Sequence, residues 1–150
     1  MSDHAADARR IVDSNVYMTL ATADADGRPW ASPVWFAHDG YRRLLWVSKP
    51  EARHSRNLAD RPQAAVVIFD STVAEGVAEA VYLEVEAGQV SEEEEERCIA
   101  VFSRRSAELG WPGWSVEDVR PPARLRLYVA RATAHFVLGP NDERIAVSLA

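Results

Sequence analysis

The sequence predicts a mainly β fold, an antiparallel barrel that is closed or nearly closed, with three peripheral helices. Three observations predict it. Short stretches rich in strand formers recur along the chain, six or seven of them in 150 residues. Glycine-bearing turn signals, Asp26-Gly27 and Asp39-Gly40, separate the first of these stretches. Only three segments carry helical spacing or helix-end signals. Closing such a sheet removes exposed edges, which would otherwise recruit other strands.

The elements follow in order. Residues 3–14 predict a short helix with Ala8, Ile11 and Val12 inward and Ser2 or Asp3 as cap. YMTLAT (17–22), WASPVWFA (30–37) and LLWVS (44–48) predict three strands of a meander. Pro33 inside the second points to an edge or a bulge. A short helix is expected from Pro50 to Ala59, since proline is tolerated in a first helical turn. AAVVIFD (64–70) is a continuous apolar run, the pattern of a buried strand. In 78–90, Val81, Leu83, Val85 and Ala87 alternate with Tyr82, Glu84 and Glu86, so one face of a strand turns inward.

Residues 91–110 form the clearest helix. Ser91 and Glu94 are spaced for a capping box, the glutamate run sits at the positive end of the helix dipole, and Gly110 suits the position after the last turn. The five glutamates are expected to be a solvated helix start. Ile99, Phe102, Ser106 and Leu109 share a face. WPGWSVEDVRPP (111–122) is a loop whose Trp111 and Trp114 suit an interface or the rim of a pocket. A long strand at 123–139 should bend or bulge, with Leu125, Leu127, Val129, Arg131 and Thr133 on one face. Pro140-Asn141-Asp142 turns the chain into a last strand at 143–150.

Composition narrows the function. The length suits one domain, 1–150, with a core that needs no staples. A net charge of −6 argues against nucleic-acid binding through a basic face. No apolar run approaches the ~20 residues of a membrane span, and the charged N-terminus lacks a secretory pattern. The single cysteine, Cys98, reads as a small buried apolar residue, and its lack of a partner fits a cytoplasmic protein. No nucleophile elbow, dinucleotide fingerprint or P-loop occurs, and His4, His38, His54 and His135 lack metal-ligand spacing.

Two segments concentrate chemistry. In WVSKPEARHSRNL (46–58), Ser48, Lys49, Arg53, His54, Ser55, Arg56 and Asn57 gather where a strand end meets a helix start. A helix N-terminus offers free N–H groups, arginine a bidentate fork and serine a hydroxyl, which together suit a phosphate. A polar surface loop with a cationic helix would look similar. The second segment is RPWASPVWF (28–36), where Trp30 and Trp35 flank a proline-interrupted strand. A flat aromatic ligand needs apolar faces and exposed backbone groups at its rim, but core or interface tryptophans would read the same.

Taken in order, the TLAT strand, the DGRPWASPVWF strand, the WVS strand, the basic ARHSRNL helix start and the apolar strand after it resemble the pyridoxamine 5′-phosphate oxidase-like flavin-binding split-barrel proteins. The resemblance covers most of residues 10–140 and is strongest in the first 70. It implies a homodimer with FMN held in clefts between subunits. It places Ser32, Pro33, Val34 and Trp35 along the flavin ring, and Trp46, Val47 and Ser48 near the ring and ribityl chain. It places Arg53 and His54 as a basic pair at the phosphate, with His54 where the family often has lysine, and Lys49 of the same basic segment is counted with them as a cofactor-binding candidate. Tyr82, His38 and Trp111 are candidates to line a substrate space, and no catalytic residue is implied. The pattern departs from the vitamin B6 oxidase at Ser32 and Ala37 and after VSLA, so that substrate is not expected. The implied activity is an FMN-dependent oxidoreductase acting on an unidentified small molecule. A deazaflavin-dependent reductase and a flavin-binding sensor without turnover are the alternatives.

Overall fold

The computed structural model describes residues 3–149. The chain opens with helix α1 (His4–Ser14), capped by Asp3, whose carboxylate accepts the Ala6 N–H at 3.1 Å. Ser2, the other candidate cap, lies outside the described residues. Ala8, Ile11 and Val12 are buried as their spacing predicts.

Eight strands follow in one antiparallel sheet. They are β1 (Tyr17–Ala23), β2 (Pro29–Trp35), β3 (Ala37–Asp39), β4 (Arg43–Ser48), β5 (Gln63–Phe69), β6 (Ala80–Gln89), β7 (Arg126–Leu138) and β8 (Arg144–Val147). The expected strand at 30–37 breaks at Phe36, which raises the count from seven to eight. The spatial order is β2-β1-β5-β6-β7-β4-β3, with β8 pairing β7. β2 and β3 thus lie at opposite ends of the sheet order, yet only Phe36 separates them in sequence. The sheet must therefore curl until its two ends meet at that residue. Closure is covalent at Phe36 and not a continuous ladder, which is the geometry of a split barrel. Phe36 is buried, and its N–H donates to Val16 O at 3.2 Å.

The barrel interior holds Met18, Leu20, Leu44, Trp46, Val66, Ile68, Val81, Leu83 and Val85, closed at one side by α1. A second apolar layer lies outside β4 and β7. There Leu45, Leu127 and Val129 meet Cys98, Ile99 and Phe102 of helix α3 (Glu92–Glu108). β7 carries the expected irregularity. Glu84 pairs with Ala134 and Val85 with Ala132, so Thr133 is the extra residue of a bulge. Gly110 takes φ +77 after the last turn of α3, the left-handed conformation that glycine adopts without penalty.

Four local expectations are corrected. Helix α2 spans Arg53–Asp60, so Pro50 lies before it. Ala52 N–H donates to Lys49 O at 3.1 Å, which places Pro50 second in a four-residue turn, where its fixed φ is favoured. The capping box of α3 does not form. The Glu94 carboxylate is drawn to Arg43 at 3.2 Å and Arg97 at 3.4 Å, and these charge-assisted contacts outcompete a backbone N–H. The glutamate run is also more than a solvated helix start, because Glu95 is buried and paired with Arg120. Finally, the apolar run of β5 is buried on one face only. Val66 and Ile68 point inward, while Ala65 and Phe69 are exposed.

A candidate phosphate corner and an apolar groove

The end of β4, the turn after it and the first turn of α2 form one polar corner. Ser48 is buried, and its Oγ lies 2.8 Å from His54 Nε2. Burial lowers the His54 pKa below its ordinary 6.5, so the imidazole is neutral at pH 7. Arg53 lies on the exposed side, its guanidinium carbon 4.2 Å from the centre of the Trp30 ring. Asn57 Nδ2 donates to Thr22 Oγ1 at 3.0 Å, and Thr22 Oγ1 donates to Trp30 O at 3.4 Å. These bonds tie α2 to the ends of β1 and β2, where Trp30 sits.

The corner has unspent hydrogen-bonding capacity. Ala52 cannot cap α2 with its side chain, so the N–H groups that a cap would take are open. The Ser55 hydroxyl, in that same first turn, is buried and has no protein partner. Buried polar groups are nearly always paired, so an orphan here asks for an external acceptor or donor. Open N–H groups, two hydroxyls and a guanidinium fit the donor set a phosphate requires.

The other residues expected around a ligand divide by depth. Ser32 is half-buried and Pro33 exposed on β2, an edge strand as the proline predicts. Lys49 is exposed at the corner. The Val34 and Trp46 side chains are buried inside the barrel, so they offer a ligand only their main chain. The Trp46 Nε1–H is itself buried without a partner. Trp35 and Val47 pack on the α3 side, where Trp35 stacks on Phe102 with ring centres 4.1 Å apart. Trp111 meets Trp35 of β2 edge-on at 5.2 Å, and Trp114 meets Phe102 of α3 at 5.4 Å, so the two loop tryptophans anchor the loop to β2 and α3. His38 is a structural latch. Its Nδ1 accepts the Tyr41 N–H at 3.2 Å, and its Nε2 lies 2.7 Å from Asp13.

An open groove of about 480 Å³ crosses the outer face of the sheet, lined by Thr19, Ala21, Ala65, Val67, Tyr82 and Phe136. Arg144 closes one side, its guanidinium 4.5 Å from the Tyr82 ring centre. Sequence reading singled out Tyr82 but missed the rest of this face, along with Thr22 as a tie to α2 and Ser55 as an orphan. The apolar residues at alternate, outward positions of β5 were the available signal. Among the described residues no cluster of three or more His, Cys, Asp or Glu could hold a metal, and no helix is long and apolar enough to cross a membrane.

The family profile of pyridoxamine 5′-phosphate oxidase matches residues 5–137. The chain belongs to this family. Solved structures agree on the fold. A haem-binding protein from Mycobacterium smegmatis superposes with a TM-score of 0.77 at 23% identity, covering 99% of this chain and 59% of that one. The chain therefore spans little more than half the length of that protein. The haem storage protein HutZ from Vibrio cholerae gives 0.70 at 23% identity, covering 88% of this chain and 92% of its own. An F420 reductase gives 0.61 at 21% identity, with 85% and 94% covered. No curated protein matches the chain by sequence.

Proposed function

We propose that the chain is an FMN-dependent oxidoreductase acting on a small molecule, a single domain over 1–150 that works as a homodimer in the cytoplasm. The observation that carries this reading is the phosphate-fitting corner in a member of this family. Arg53, the Ser48 and Ser55 hydroxyls and the open N–H groups of α2 would hold the phosphate. Lys49 and His54 complete the set, with His54 acting as a hydrogen-bonding partner more than a charge while it stays neutral. Ser32, Pro33 and the main chain of Val34, Trp35, Trp46 and Val47 would line the ring and ribityl chain.

Bound flavin supplies hydride acceptance and return, so the protein's part is to hold, orient and shield. The Trp30 face fixes Arg53 where its fork can meet an anion. Ser48 is buried and His54 half-buried, which limits competing water on that side of the site. The homodimer reading rests on the apolar outer face, which one chain leaves open to solvent.

The test is titration of the purified protein with FMN, followed by NADH or NADPH and then reoxidation by candidate acceptors. The expected result is a yellow complex whose flavin is reduced and reoxidised. Arg53→Ala should weaken FMN binding about tenfold or more, the loss of a charge-assisted bidentate contact. Failure to bind FMN at micromolar concentration ends this reading, and binding of a deazaflavin in its place moves the chain to the reductases that use one. Binding without turnover makes it a flavin carrier or sensor.

A further inference from the structure

One stripe of α2 is polar where a docked helix ordinarily carries apolar residues. Arg53, Asn57 and the capping residue Arg61 follow one another at i, i+4 and i+8, and all three meet the β1–β2 hairpin. The Arg53 guanidinium lies over the Trp30 ring. Asn57 Nδ2 donates to Thr22 Oγ1, and Arg61 Nη2 donates to Ala25 O at 2.9 Å. The hairpin end that they grip is stiff, because the Asp24 carboxylate accepts the Asp26 and Arg28 N–H groups, both at 2.9 Å.

The middle contact differs from the outer two. Thr22 is 4% exposed and Asn57 5%, so their bond is shielded from water, whereas Arg53 and Trp30 are exposed. A buried amide that loses its acceptor cannot turn to solvent for another. Thr22 also reaches the facing strand, since it is the register partner of Trp30 and its hydroxyl donates to Trp30 O. The contacts therefore close a loop. It runs from Asn57 through Thr22 to the Trp30 main chain, from the Trp30 ring to Arg53, and from Arg53 back along one helical turn to Asn57.

We infer that Thr22 and Asn57 are positioning residues of the phosphate site, which seat Arg53 by holding Trp30 beneath it. The inference rests on the flavin reading above and extends it to two residues that act through Arg53. The guanidinium takes its place from the ring under it, and the main chain of that ring is held from the barrel side by Thr22. Without the buried bond, α2 and the hairpin can shift against each other, and the fork loses its fixed approach to an anion. The strand that would line the flavin ring is less affected, because β2 is paired with β1 along its whole length.

Titration with FMN and with riboflavin, which lacks the phosphate, tests this. Thr22→Val removes the hydroxyl and keeps the branched shape. It should weaken FMN binding about tenfold and leave riboflavin binding within about twofold of native. Thr22→Ser, which keeps the hydroxyl, should recover most of the FMN affinity. In an Arg53→Ala background, Thr22→Val should cost FMN less than about twofold, because the residue through which it acts is gone. Retained riboflavin binding reports that a variant is folded. Asn57→Ala opens the same bond from the helix side and orphans no donor, since Thr22 keeps Trp30 O, so it should show the same split between the two flavins even if Thr22→Val fails to fold. Equal losses of FMN and riboflavin in these variants, or a full FMN loss that persists without Arg53, would make the bond a structural tie and overturn the inference. Unchanged FMN binding in Asn57→Ala overturns it too. In each of those cases FMN binding by the native protein stands. A native protein that binds neither flavin ends the flavin reading, and this inference with it.

Discussion

At the residue scale, the corner is organised before any ligand arrives. Arg53 rests on Trp30, so part of the entropy of fixing a long side chain is already lost in the free protein. His54 is the titratable member, and its direction of shift gives a prediction. Its folded-state pKa lies below 6.5 because burial disfavours the imidazolium. The unfolded chain therefore binds the proton more readily. Its contribution to stability is complete above pH 6.5 and declines as pH falls through the folded value. Urea denaturation of the apoprotein at pH 8 and pH 5.5 should show a loss toward acid that is smaller in His54→Gln. An identical pH dependence in the variant would remove His54 as its source. Residue identity at this corner was legible in the sequence, because Ser48, Arg53 and His54 are few residues apart. Side-chain direction was less so. Trp46 and Val34 sit on strands beside the corner, but the pleat turns their side chains into the barrel.

At the element scale, α3 is a plate that covers β4 and β7, and its hold depends on aromatic packing. Phe102 is fully buried between Trp35 and Trp114. Phe102→Ala should destabilise the fold by about 3–5 kcal/mol, since the cavity would be walled by rings that cannot collapse into it. Thermal or chemical denaturation checks this, and a cost below about 1 kcal/mol would show that the aromatic layer repacks freely. The inward face of α3 was legible because Ile99, Phe102 and Ser106 follow helical spacing. Its N-terminus was misread because spacing alone cannot weigh a capping contact against an ion pair. Arg43 and Arg131 come from strands far away in sequence, and they decide where Glu94 points. For α2 the error was one of register. Pro50 suits both a first helical turn and the second position of a reverse turn, and only the Lys49–Ala52 hydrogen bond distinguishes them.

At the scale of the whole molecule, the unresolved balance is an apolar sheet face left open to solvent. Tyr17 is 56% exposed and Phe69 46%, on the same side as Ala21, Ala65 and Val67. The continuous apolar run of β5 is what a strand buried on both faces looks like, and within one chain only one face is covered. A second copy applied to this face would complete the burial that the sequence specifies. Val67 lies near the centre, paired with Thr19 on one side and Tyr82 on the other. Val67→Lys would set two charges against each other across a two-fold interface, since the same patch appears on both subunits. Sedimentation should find the native chain dimeric at micromolar concentration and the variant monomeric. Its circular dichroism should be unchanged, because Val67 faces away from the barrel core. If the flavin lies between subunits, the monomer should also lose FMN affinity, although Val67 is absent from the phosphate corner. A native chain that sediments as a monomer would leave the apolar face to the cofactor or to a different partner. A dimeric Val67→Lys variant would place the interface on another surface.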